Sequence, residues 1–328
     1  MYVNTTDVSL SVAVWLSEDR YDHSNDPKEI SATALLKPIR QIVLGARVEP
    51  SDGIADVINN FDSGMGTAVH DAIETAWVEN YETNMAKLGY PKRVIDKIWL
   101  NPPRGADLTD RIPVYMEQRL KRRFGDFMIT GKFDFIMDGQ LEDFKTTKTY
   151  AYTKQTNDDN YRLQGSIYRW LDPVLITKND IHIQYLFKDW SPAGLQRNPK
   201  YPKNKVVTKK IPLLDLASTE AYIRTKLDQV IRLKDANQNE LPLCTQQELW
   251  QDASVFKYYK NPAKTSRSTA NFDTYAEASL RHTKDGGCGL IKEFKGKAKA
   301  CLYCRAVTIC DQAKNLVAQD LLDATAIA

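Results

Sequence analysis

Cysteine is scarce in this 328-residue chain: there are five, none before Cys244, and four lie between 288 and 310. Histidine is scarcer, with only His23, His70, His182 and His282. Apolar runs such as SVAVWL (11–16) fall far short of the ~20 residues of a bilayer-spanning helix, so no membrane partner is expected. The opening MYVNTTDVSL lacks the basic n-region of a signal peptide, and the sequence therefore predicts a cytoplasmic protein. In that compartment thiols stay reduced, so clustered cysteines read as metal ligands or buried thiols rather than disulfides. A formal net charge of +3 is too small to make the whole chain a polyanion binder; any basic surface must be local. No G-x-x-x-x-G-K-[ST] pattern, internal repeat or low-complexity tract is present, so no nucleotide-driven motor is visible.

What remains is an ordinary globular composition, 42% hydrophobic and 27% charged, in a chain long enough for a full core. ISATALLKPIRQIVL (30–44) reads as a short capped helix, a break at Pro38 and a second apolar stretch. Residues 64–90 carry Val69, Ile73, Ala76 and Trp77 at helical spacing. After a charged stretch, MEQRLKRRFGD (116–126), residues 127–137 and 140–146 read as two strands. A helix over 158–173 presents Leu163, Ile167, Trp170 and Leu171. IHIQYLFKDW (181–190) and KVVTKKIPL (205–213) read as strands, 214–235 as a helix, and the rest as irregular until the cysteines. The pattern predicts an α/β core with a central mixed sheet flanked by helices. The expected division is residues 1–240 as the core, with a helical N-terminal part. Residues 241–328 would be a basic, cysteine-bearing lobe packed on it as one compact unit.

The hairpin GKFDFIMDGQLEDFKTTK (131–148) poses the central question. Asp138-Gly139 between β-type runs is a strong turn signal, because a type I′ turn needs positive φ at both central residues. A two-residue loop pairs Met137 with Gln140, Ile136 with Leu141 and Phe135 with Glu142, and sets Asp134 opposite Asp143. Lys145 then projects on that same face, two positions on. Like charges directly opposite are destabilising, and a divalent cation removes that penalty. The bland alternative is a solvated hairpin face. His70 and Glu74 at i, i+4 on one helix, and Gln164 and Tyr168 at i, i+4 on another, weigh against it.

Together these residues resemble the PD-(D/E)XK nuclease superfamily in its RecB-like, Cas4-like exonuclease branch. GTAVH (66–70), GKFD (131–134), DFK (143–145) and QGSIY (164–168) match four motifs in order, and SATALLKPIR (31–40) is similar to that branch's N-terminal segment. The resemblance implies a restriction-endonuclease-like core. It implies Mg²⁺ or Mn²⁺ ligation by His70, Asp134, Asp143 and the carbonyl of Phe144, with Lys145 catalytic and Gln164 and Tyr168 contacting DNA or bracing the site. In another hairpin register Glu142 would replace Asp143.

CLYCRAVTIC places Cys301, Cys304 and Cys310 at C-x₂-C-x₅-C, able to converge on one metal with a fourth ligand from elsewhere. The triplet resembles the [4Fe–4S] ligands of the same branch. Cys244, in LPLCTQQELW, resembles a segment of its phage-type members and is the favoured fourth ligand. Cys288 is the alternative, and a structural zinc is equally compatible with the residues. Basic residues concentrate in the last third and in KRR (121–123), and FKYYKNPAKTSR (256–267) interleaves lysines with Phe256, Tyr258 and Tyr259, as a strand-tracking groove would. The expectation is a metal-dependent DNA exonuclease acting on single strands or duplex ends in recombination, repair or replication. It could work beside a helicase or other replication protein, in the host cytoplasm if phage-encoded. The rivals are a non-cleaving nucleic-acid binder with the same fold and a carboxylate-pair hydrolase of sugars.

Overall fold

The structure, a computed structural model, describes residues 2–18, 26, 28–48 and 55–326; His23 lies outside them. It is a mixed α/β protein whose open sheets are flanked by helices. The chain divides into two compact units, Met1–Leu36 with Ile54–Lys226 and Lys37–Gly53 with Leu227–Ala328. This partition differs from the expected cut at 240/241. The division falls within the helix Leu216–Leu233, and the Lys37–Gly53 segment joins the second unit. Among the described residues no helix is long and apolar enough to cross a membrane.

The first unit is built on a six-stranded mixed sheet. Its order is Val206–Pro212, Asp180–Phe187, Gln140–Thr147, Phe135–Met137, Ile112–Met116 and Ile98–Leu100. Gln140–Thr147 runs parallel to Asp180–Phe187 and antiparallel to Phe135–Met137. A second sheet pairs Phe127–Lys132 with Glu29–Ser31 and with Arg119–Phe124. The single strand expected over 127–137 is thus two strands in different sheets. The chain bends at Phe133 and Asp134, where Glu117 N–H donates to Asp134 O (3.0 Å) and Phe133 N–H to Gln118 O (3.2 Å). Phe133 is fully buried and anchors the crossing point.

Two helices position the site residues on these sheets. The long helix Phe61–Lys87 buries little of itself, but Trp77, Tyr81 and Met85 pack with Ile98, Val114 and Phe135. Of the expected stripe, Trp77 lies in that contact face, whereas Ala76 is exposed. The amphipathic helix Asp158–Leu171 buries Ile167, Trp170 and Leu171 as expected, together with Tyr161 and Tyr168. Each such side chain contributes ~1.5–3 kcal/mol on burial. Gly131 explains part of the GKFD pattern: a Cβ there would stand 2.5 Å from the Tyr168 ring.

In the second unit the helix Ile39–Gly45 buries Ile39, Val43 and Leu44 with Leu241 and Ala306. The stretch expected to be irregular holds an antiparallel sheet of Val255–Tyr259 between Ala270–Phe272 and Leu290–Phe294. The helix Tyr275–Lys284 completes it. A capping box starts that helix: Thr274 and Glu277 exchange side-chain and backbone hydrogen bonds. The strands are short and separated by a lysine-rich connection, which hid their period.

Candidate functional site

The hairpin forms in the expected register, with Phe135 opposite Glu142, Ile136 opposite Leu141 and Met137 opposite Gln140. Asp138 (φ 49°) and Gly139 (φ 76°) take the left-handed conformations that a type I′ turn requires. Asp134 lies on the bend just before the ladder rather than paired within it. From there its Oδ2 accepts the N–H of Phe144 at 2.8 Å. The alternative register fails, since Glu142 is engaged elsewhere by Gln184 Nε2 at 2.7 Å.

Around Phe144 the motifs converge. His70 Nε2 meets the Phe144 carbonyl at 3.0 Å, while Nδ1 lies 3.7 Å from Asp134 Oδ2 and 3.5 Å from Glu117 Oε1. Asp143, only 1% exposed, has Oδ2 2.5 Å from Lys145 Nζ without a well-aligned hydrogen bond. Gln164 Nε2 donates to Asp143 Oδ1 (3.3 Å) and to Tyr168 OH (3.0 Å), and Tyr168 OH donates to Lys132 O (2.8 Å). Glu74 is not drawn into this network.

The electrostatics follow from crowding acids and bases in a half-buried place. Burial and the Asp143 charge push Asp134 well above the usual carboxylate range, against Lys145, His70 and the Phe144 N–H. Burial works against a charged His70, but Glu117, Asp134 and the Phe144 carbonyl outweigh it and hold its pKa up at about 9. Burial likewise opposes the Lys145 charge, and Asp143 and Asp134 overcome it, keeping the ammonium protonated.

Glu117 is the residue that sequence reasoning missed. His70, Glu117 and Asp134 each offer a ligand atom within 4.8 Å of the others, and among the described residues they form the group best placed to hold an ion. Glu117 has φ 51°, follows the strand Ile112–Met116, and has Lys132 Nζ 2.6 Å from Oε2. His70 and Lys132 hold its carboxyl below the usual range despite burial. Asp143 stands outside that triad and reaches it through Lys145 and the field at Asp134. The buried, poorly satisfied Asp143 oxygen is a further donor for a cation. A cleft of about 490 Å³ opens onto His70, Glu117, Lys132 and Asp134, with Tyr2 and Trp15 also lining it.

In the second unit Cys244, Cys301, Cys304 and Cys310 line one small, mostly apolar pocket. Cys288 is not among them; it is exposed, with Sγ 3.5 Å from Gly286 O. Burial pushes the Cys244 thiol up to about 12 and Cys301 up to about 11, and raises Cys304. The buried Arg40 donates from Nε to Cys310 Sγ (3.4 Å) and from Nη1 to Gln238 O and Leu241 O.

The expected DNA groove changes in detail. Tyr258 and Tyr259 are 0% and 4% exposed, packed in their sheet, so they offer no face to a base. In KRR, Lys121 pairs with Glu29 at 3.5 Å and Arg122 stacks on Trp170 at 4.1 Å, so two of the three basic side chains are engaged.

No family model matches the chain, and no curated protein matches it. Among solved structures, one described as the crystal structure of SSO0001 is similar at 14% identity, over 67% of this chain and 83% of that one. Its TM-score is 0.39, too low to bear on fold or function.

Proposed function

We propose that the chain is a divalent-metal-dependent deoxyribonuclease of the PD-(D/E)XK type, in the RecB-like and Cas4-like exonuclease branch. The observation that carries this reading is the Phe144 network. Residues from four separate motifs, His70, Asp134, Asp143 with Lys145, and Gln164 with Tyr168, meet there through short polar contacts. A solvated hairpin face gives no reason for that convergence.

His70, Glu117 and Asp134 fit a cation by ligand type and spacing, with Asp143 and the Phe144 carbonyl beside them. Bound Mg²⁺ or Mn²⁺ would polarise a phosphodiester and acidify a water. Lys145 supplies a fixed positive charge toward the phosphate oxygens, which offsets the charge that develops on them. Gln164 orients Asp143, and Tyr168, anchored on Lys132 O, orients Gln164. The mixed sheet with its flanking helices is compatible with a restriction-endonuclease-like core.

The four pocket cysteines fit a second metal group. By the resemblance of the cysteine triplet we favour a [4Fe–4S] cluster over zinc, with Cys244, which shares the pocket, as fourth ligand and Arg40 beside Cys310 offsetting its negative charge. Such a cluster would tie Ile39–Gly45 to the Cys301–Cys310 segment.

The test is purified protein with single-stranded DNA and Mn²⁺. Metal-dependent turnover that disappears in Asp134→Ala and Lys145→Ala is expected; turnover that persists in either rejects the assignment. DNA binding without turnover under saturating Mn²⁺ favours the non-cleaving binder.

A further inference from the structure

The connection between the strands Asp180–Phe187 and Val206–Pro212 went unmarked in the sequence, yet from Lys188 to Lys205 it holds five basic residues against one acid, Asp189. It is locked in place. Ser191 caps the short helix Pro192–Arg197, its Oγ accepting from Gly194 N–H at 3.1 Å. Tyr201 OH accepts from Ser191 N–H (3.1 Å) and donates to Asp189 O (3.2 Å), and Trp190 Nε1 donates to Pro202 O (2.9 Å).

Beside this connection lies a cleft of about 590 Å³ lined by Tyr152, Thr153, Lys154, Gln155, Lys200 and Lys209. Lys209 is paired with Asp158 at 2.5 Å. Lys154 and Lys200 are exposed, and neither makes an ion pair among the described residues. Two uncompensated ammoniums on one open cleft attract an anion, and a nucleic-acid strand carries one negative charge per residue. Three aromatic rings packed in succession, Tyr185 and Tyr161 among them buried, set the spacing between the cleft and the candidate site. Tyr152 is 5.4 Å from Tyr185, Tyr185 is 6.2 Å from Tyr161, and Lys145 Nζ lies 5.6 Å from the Tyr161 ring.

We propose that Lys154 and Lys200 form a backbone-phosphate subsite for the strand whose scissile phosphate lies at Lys145. This rests on the nuclease reading and adds a contact to the strand away from the scissile phosphate, made to its backbone phosphates and not to its bases.

The test is equilibrium binding of a fluorescent oligodeoxythymidylate in EDTA, between about 50 and 200 mM salt. Each phosphate contact on a single strand contributes ~0.7 to the slope of log K against log salt. Lys154→Ala/Lys200→Ala is therefore expected to flatten the slope by about 1.4 and to weaken low-salt binding about tenfold or more. Lys154→Arg/Lys200→Arg should keep the wild-type slope. Both side chains are exposed, so the variants should fold. Wild-type cleavage with an unchanged slope in the alanine variant overturns the subsite alone. A wild-type protein that neither binds the strand nor cuts it with Mn²⁺ overturns the nuclease reading and the subsite together.

Discussion

The two ligand clusters in this chain are built in opposite ways. Around Phe144 the donors are a histidine and carboxylates beside an open cleft, held by hydrogen bonds to the Phe144 main chain. Around Cys310 the donors are thiols lining a small apolar pocket, where burial disfavours the thiolates. The first arrangement leaves open space beside its donors. The second has no room for a substrate and gains its stability from being filled. On the proposed reading, openness and donor chemistry give one cluster to reaction and the other to architecture.

The largest effect that would break this contrast concerns turnover. Lys145→Ala or Asp134→Ala should lower Mn²⁺-dependent cleavage by about 10²–10³-fold or more while leaving thermal unfolding of the second unit unchanged. Cys301→Ser should do the reverse: visible absorbance from the cluster disappears and the melting temperature falls by about 10 °C, a few kcal/mol. Cys288→Ser should change neither, and a loss of absorbance there would reassign the fourth ligand.

Smaller effects sharpen the comparison. Glu117→Gln should weaken Mn²⁺ binding by about 10- to 100-fold, measured by titration calorimetry; unchanged affinity would remove Glu117 from the site. Without metal, stability should fall as pH rises. The folded pKa of His70 lies above its unfolded value, so its contribution is fully present below about 6.5 and is lost as pH passes about 9. The raised Asp134 adds a loss of the same sign at lower pH, starting above the ordinary carboxylate range. Melting curves from pH 6 to 9 should show a decline on the order of 2 kcal/mol from His70, reversed by Mn²⁺. A flat profile would contradict the protonated histidine. Gly131→Ala should cost about 1–3 kcal/mol by forcing a Cβ against Tyr168, with chemical denaturation as the measure.

The parts legible in the sequence were those set by local rules. Asp138-Gly139 determines its own turn, and the turn determines the register that separates Asp143 from Glu142. The cysteine spacing was equally local. Glu117 was not legible, because its place depends on how the strand Ile112–Met116 pairs with Phe135–Met137 and on a left-handed backbone turn that glutamate seldom adopts. The crossing at Phe133–Asp134 was hidden because β-type residues continue through it while their partners change. Thr274-x-x-Glu277 did announce the helix Tyr275–Lys284, and a search for capping boxes would have found it. Tyr258 and Tyr259 misled because alternation with lysine looks the same whether an aromatic ring faces a base or a sheet core.

Phe144 gives Asp134 its N–H and His70 its carbonyl through two successive peptide groups, so the joint between the two motifs is made of main chain. Side-chain replacement cannot delete an amide. Scanning mutagenesis at position 144 would therefore report on the ring's packing and leave the joint untouched. Exchanging the Asp143–Phe144 amide for an ester by chemical synthesis would delete the N–H that Asp134 accepts, keep the carbonyl that His70 meets, and show whether the acid and the imidazole still align.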